Sequence, residues 1–220
     1  MILKLEARPQ NSTLWTYASP LLALAITVAI GICLFILLGK DPIRGLQMFF
    51  WEPIRSGYAW GELMVKATPL LIIALGLAVC FRSNVWNIGA EGQFIFGALI
   101  ASAVALLADK DTSRGIVVFI LLAGILGGMF WSSIVGVLRD KFNANEILVS
   151  LMLVYVADSL LGYMVNGPLK DPNGFNFPQS KTFEMVTQIP RLLSGSRMSI
   201  GLPIAMALAA ALWVFLFRTR

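Results

Sequence analysis

The sequence predicts an all-α, polytopic transmembrane helix bundle of about six spans, with one broken or re-entrant segment near 82–93. Three observations carry that expectation. Hydrophobic residues make up 58% of the 220 and charged residues only 13%. With Gly counted and Tyr left out, the apolar share is about 65%, against roughly 45–50% for a soluble domain. A core of this size cannot hide so much apolar surface from water. Finally, six stretches approach the roughly 20 apolar residues that a helix needs to cross about 30 Å of hydrocarbon.

Residues 1–17 read as a cytoplasmic N-terminal tail and 18–220 as the transmembrane domain. The first stretch, Ala18–Leu38, is uncharged over 21 residues. It exceeds the apolar core of a signal peptide, about 7–15 residues, and Gly39-Lys40-Asp41-Pro42 offers no small-residue cleavage site, so it reads as a retained anchor. Residues 41–62 carry Phe49, Phe50, Trp51, Tyr58 and Trp60, the rings that rest at headgroup level, and predict an interfacial segment. The remaining spans are Leu63–Phe81, Gln93–Ala108, Gly115–Leu138, Ile147–Val165 and Ile200–Phe217. Between the last two, loop 166–199 holds Gly167-Pro168, Asp171-Pro172, Gly174 and Pro178. These break helices and form turns, which predicts a cap over the helix ends with a short helix near 182–188.

Composition also excludes chemistry. The chain has no histidine, which removes Ser-His and Cys-His dyads, HExxH zinc sites and His-ligated haem. Cys33 and Cys80 sit inside apolar runs as small packing residues. The net charge of +5 comes from single Lys and Arg residues at span ends. That pattern belongs to a lipid bilayer partner and not to nucleic acid. No G-x-x-x-x-G-K-[ST] or G-x-S-x-G occurs, and no carboxylate cluster has metal spacing. The expectation is therefore no catalytic residue, no metal and no cofactor, with energy drawn from an ion gradient or another subunit. Lys and Arg on the short loops favour neither side of the membrane.

The most informative stretch is Arg82–Gln93, R-S-N-V-W-N-I-G-A-E-G-Q. It is dense in amides and glycines, and the span after it has only about 16 residues, short for the bilayer. A discontinuous helix there would expose Asn84, Trp86, Asn87, Glu91 and Gln93 along a substrate pathway, since broken backbone at membrane depth survives only beside protein or water. An ordinary aqueous loop is the other reading. Asn145 and Glu146 open the fifth span, either facing the pathway or capping the helix, where Asn and Glu are favoured. Lys66 and Asp158 are the intramembrane charges, and such groups normally face the protein interior. Lys66 snorkels or forms a structural bond; Asp158 serves as a proton or substrate group, or as the partner of Lys66. Gly124, Gly128, Ser132 and Gly136 form a small-residue stripe for close helix packing.

Four stretches share one resemblance: L-M-V-K-A-T-P-L-L-I-I-A-L-G-L-A-V-C-F-R-S-N-V-W-N-I-G-A-E-G-Q at 63–93, K-F-N-A-N-E-I-L-V-S-L-M-L at 141–153, G-P-L-K-D-P-N-G at 167–174 and F-P-Q-S at 177–180. Over roughly residues 60–217 the chain resembles the membrane permease subunit of ATP-binding-cassette importers in the simple-sugar and nucleoside group, related to the ribose and branched-chain amino acid permeases. Val154-Tyr155 departs from the Asn-Tyr usual there, a departure that bears on a polar contact from that helix to the substrate and not on the membership. The resemblance implies inward translocation of a nucleoside or simple sugar by alternating access. It implies four kinds of partner: a second permease subunit, two cytoplasmic ATPase subunits, an extracytoplasmic solute-binding protein and the bilayer. It implies the bacterial-type plasma (inner) membrane, a cytoplasmic N-terminus, an extracytoplasmic loop 166–199, and family members that continue beyond the equivalent of Arg220. Two alternatives stand beside it: a proton-coupled secondary transporter using Asp158, and a membrane-embedded lipid-linked transferase using Asp158 with Lys66.

Overall fold

The computed structural model describes residues 12–109, 111–175, 177–192 and 195–218. Residues 1–11 of the expected tail, and Arg220, lie outside them. The described chain is built from seven helices: α1 Thr13–Leu37, α2 Pro42–Leu46, α3 Gly57–Arg82, α4 Ala90–Ala105, α5 Ile116–Phe142, α6 Glu146–Asn166 and α7 Gly201–Arg218. Among the described residues, α1, α3, α5, α6 and α7 are long and apolar enough to cross a membrane. The sixth expected span is α4, which at 16 residues rises only about 24 Å. The chain divides into two compact units, residues 1–63 and 64–220.

In the first unit, α1 ends at Leu38 and the chain turns through Gly39, whose φ is +65°. Asp41 then caps α2, its carboxylate accepting from the N–H groups of Ile43 and Arg44. The expected interfacial segment 41–62 is three pieces. After α2 come a π-helical turn, Gln47–Trp51, and a 3-10 turn, Glu52–Ile54, and α3 already begins at Gly57. Pro53 explains the interruption, since it lacks an N–H for continuous helix. The indole of Trp60 donates to the Ile54 carbonyl at 3.1 Å, tying the start of α3 to the 3-10 turn.

In the second unit α4 is the centre, packed on α5 and on α6. Its glycines set those contacts. A Cβ on Gly97 would lie 2.8 Å from the Gly124 carbonyl oxygen of α5, and one on Gly127 would lie 3.0 Å from Ile100. Of the small-residue stripe on α5, Gly124 and Gly128 face α4 in this way, joined by Gly127, which is itself buried. Gly136 has nothing within 4 Å of a built Cβ. The pairings Gly97 with Gly124 and Gln93 with Gly128 make α4 and α5 antiparallel. Gly89 against Ser150 and Gly92 against Val154 make α4 and α6 parallel. Thr68 beside Gly201, and the Arg82 guanidinium 5.2 Å from the Phe217 ring centroid, make α3 and α7 parallel. These directions are those of successive spans alternating through one bilayer. The ends of α3, α5 and α7 therefore lie with the starts of α4 and α6.

Loop 166–199 is held by two antiparallel bridges, Lys170 with Ser180 and Arg191 with Ser199. The Asp171 carboxylate accepts from the Asn173 N–H at 3.0 Å, forming an Asx turn. The expected short helix is one 3-10 turn, Met185–Thr187, and it packs on α5.

Candidate functional site

The break between α3 and α4 is built by backbone conformations that its side chains favour. Asn84 is left-handed, with φ of 57°, a region Asn tolerates better than most residues. The Asn84 N–H reaches the Phe81 carbonyl and the Val85 N–H reaches the Cys80 carbonyl at 2.9 Å. This pair of bonds is the Schellman ending of a helix. Asn84 thus terminates α3, and its side chain is solvent-exposed. The chain then runs without regular structure, through a tight turn in which the Asn87 N–H reaches the Val85 carbonyl at 3.2 Å, to Gly89, the N-cap of α4.

Two glycines seat that cap on α6. A Cβ on Gly89 would lie 2.9 Å from Ser150, and one on Gly92 would lie 3.1 Å from the Val154 Cα. Ser150 is fully buried at this contact, its hydroxyl donating to the Ile147 carbonyl at 3.1 Å. The backbone at Val154 forms the floor beneath Gly92.

Asn87 and Gln93 close the break with a reciprocal amide pair. Asn87 Nδ2 donates to Gln93 Oε1 at 3.3 Å, and Gln93 Nε2 donates back to Asn87 Oδ1 at 3.2 Å. The same Asn87 oxygen accepts from the Gly89 N–H at 3.0 Å. Both side chains are half-buried. They stand between two hollows. One, of about 260 Å³, is lined by Trp86, Asn87, Gln93, Ser132, Arg139 and Glu146, with Cys80, Val135 and Gly136 behind them. The other, of about 230 Å³, reaches from Asn87 and Gln93 to Gly76, Leu77 and Phe94.

Four of the seven expected pathway residues, Trp86, Asn87, Gln93 and Glu146, thus meet at one cavity, together with Ser132. Trp86 is 54% exposed and rests against Phe81, ring centroids 5.6 Å apart. Glu91 lies exposed in the first turn of α4. Asn145 caps α6, its side chain accepting from the N–H groups of Ile147 at 2.9 Å and Leu148 at 3.4 Å. It lines a separate open hollow at the α5–α6 turn.

Arg139 is a cavity residue that the sequence did not single out. Its guanidinium lies 3.3 Å from the Glu146 carboxylate, with the side chains 44% and 20% exposed. Asn143 makes the pairing possible: its left-handed φ of 51° ends α5 and brings α6 back beside it. Lys66 and Asp158 form no ion pair with each other, and both are exposed on the chain surface. Asp158 as the partner of Lys66 is therefore corrected: Lys66 sits on α3 and Asp158 on α6, with no bond between them. The catalytic acid-base pair that a transferase would need from them is not assembled.

The described chain thus joins five helices of membrane-crossing length to a hollow beside a helix break. Residues 60–220 match the family described as branched-chain amino acid transport system / permease component, and the chain belongs to that family. It is an integral, multi-pass protein of the cell membrane. It is 31% identical to the glucose ABC transporter permease protein TsgB13 of Haloferax volcanii, over 99% of this chain and 60% of that protein. It is 24% identical to the guanosine ABC transporter permease protein NupP of Bacillus subtilis, over 88% of this chain and 56% of that protein. It is 28% identical to the nucleoside ABC transporter permease protein NupB of Lactococcus lactis, over 52% of this chain and 32% of that protein. The chain spans less than two thirds of the length of each of these relatives. No solved structure matches it.

Proposed function

We propose that this chain is part of the permease of an ATP-binding-cassette importer. It moves a small polar solute, a nucleoside or a simple sugar, inward by alternating access. ATP is hydrolysed in separate cytoplasmic subunits, solute arrives on an extracytoplasmic binding protein, and a second permease subunit completes the pathway. Family membership supports the reading, as do relatives named for glucose, guanosine and nucleosides.

The single observation that carries it is the cavity of about 260 Å³ at the α3–α4 break. Most of its surface is apolar and Trp86 offers a flat face for a ring, while the Asn87 and Gln93 amides and the Ser132 hydroxyl, each already bonded within the chain, keep spare donors and acceptors for hydroxyls or a base edge. With Arg218 at the cytoplasmic face, as the resemblance implies, this cavity lies at the same, inner end as the close of α3 and α7, where solute leaves. The permease performs no covalent chemistry; its work is to expose one cavity to one side at a time.

The test is uptake of labelled nucleoside and glucose into liposomes that hold the complete transporter, with and without ATP. Trp86→Ala and Gln93→Ala are expected to lower ATP-driven uptake about tenfold while the binding protein still loads, a loss of about 1.4 kcal/mol. Uptake that persists without the ATPase subunits, or that follows a pH gradient and falls with Asp158→Asn, overturns the importer reading.

A further inference from the structure

We propose that the groove between α1 and the α2–π-turn segment holds one acyl chain of an anionic phospholipid, with Lys40 and Arg44 on its phosphate. The groove has a volume of about 400 Å³ and lies wholly within the first unit. Its α1 wall is a single helical face, from Leu24 through Val28, Gly31 and Phe35 to Leu38, and Leu46 and Phe49 form the opposite wall. Apart from Thr27, every lining side chain is apolar. The Thr27 hydroxyl is already used, donating to the Ala23 carbonyl at 2.8 Å.

The groove is a notch because of two glycines. Gly45 lets α2 lie against the Phe35 ring, where a Cβ would come within 2.6 Å of Cε2. Gly31 leaves the floor empty, with nothing within 4 Å of a built Cβ. Leu24 to Leu38 covers about 21 Å of helix rise, enough for an acyl chain that descends one leaflet of about 15 Å.

The mouth carries the complementary charge. Lys40 and Arg44 stand in the link between the lining residues Leu38 and Leu46, are exposed, and have no ion-pair partner among the described residues. Asp41 lies between them, but its carboxylate is turned onto the N–H groups of Ile43 and Arg44. The exposed rings of Trp51 and Tyr58 belong to the same segment, as expected at headgroup level. An apolar slot ending in two free cations matches the two halves of an anionic lipid.

The test is native mass spectrometry of the 220-residue chain, exchanged into micelles doped with phosphatidylglycerol or phosphatidylcholine. Two cations near an anionic headgroup give a preference of about thirtyfold for phosphatidylglycerol. Lys40→Gln with Arg44→Gln is expected to bring that preference close to one without loss of helix content. Gly31→Leu fills the floor and is expected to lower occupancy by both lipids; Leu34→Trp fills the wall and does the same. Equal binding of the two lipids by the unaltered chain overturns the proposal. Undiminished occupancy in both filled variants overturns it too, as does a lipid-free dimer that Gly31→Leu dissolves, since a second copy of the chain then covers the groove.

Discussion

The Asn87–Gln93 pair yields a prediction with a magnitude that the geometry sets. Gln93→Ala removes the two reciprocal amide bonds, at 3.2 and 3.3 Å. Asn87→Ala removes those two and also the acceptor of the Gly89 N–H, at 3.0 Å. A half-buried hydrogen bond contributes about 1 kcal/mol net, so the losses are about 2 kcal/mol for Gln93→Ala and about 3 kcal/mol for Asn87→Ala. The double variant loses nothing beyond Asn87→Ala, because the pair is already broken. The coupling energy is therefore about 2 kcal/mol. Asn87→Asp keeps the acceptor for Gly89 and for Gln93 and gives up a single bond, so its loss is about 1 kcal/mol. Equilibrium unfolding in mixed micelles, run as a double-mutant cycle with the Asp variant alongside, measures each quantity. A double variant whose loss equals the sum of the single losses, to within about 0.5 kcal/mol, refutes the reciprocal pair.

Three further outcomes are expected. Gly97→Ala should lower the thermal midpoint, since its Cβ meets the Gly124 carbonyl at 2.8 Å and overpacking costs about 1–3 kcal/mol. Gly136→Ala meets nothing and should raise the midpoint by the Ala helix advantage, up to about 1 kcal/mol; equal shifts refute the packing assignment. Asn145→Ala should cost about 1 kcal/mol through the lost cap and Asn145→Asp far less; equal losses in the two variants count against capping. Arg139→Gln should lower stability by under about 1 kcal/mol, because the pair is partly exposed. That difference should vanish in 1 M salt, where the screening length falls to about 3 Å; a salt-independent loss points instead to packing by the arginine stem.

The spans were legible because length and apolarity decide them. The start of α3 was not. Gly57, Tyr58, Trp60 and Glu62 continue the helix past the hydrocarbon, where hydropathy no longer reports it. Nor did hydropathy see that Pro53 divides the interfacial stretch. The polar break was legible from its amides and glycines, but its internal order was not. Asn84 ends a helix, Asn87 and Gln93 hold each other, and Glu91 stays outside, although all four read alike as pathway residues. Arg139 escaped because a single cation at a span end carries no signal; its pairing depends on the left-handed turn at Asn143, a tertiary fact. Gly127 escaped because a strict four-residue stripe passes over it, while the interface follows the helix pitch of 3.6. Lys66 and Asp158 invited pairing as lone charges, and only the placement of α3 and α6 separates them.

Gly89 and Gly92 bring the main chain of α4 directly against α6, and Gly97 brings it against the main chain of α5. Those three helices are consequently welded into one mechanical block. Sliding one member by a fraction of an ångström would press Gly97 on the Gly124 carbonyl or Gly92 on the Val154 Cα. What joins the trio to α3 is the non-helical stretch 85–88, itself pinned to α4 by the bonds of Asn87 to Gln93 and Gly89.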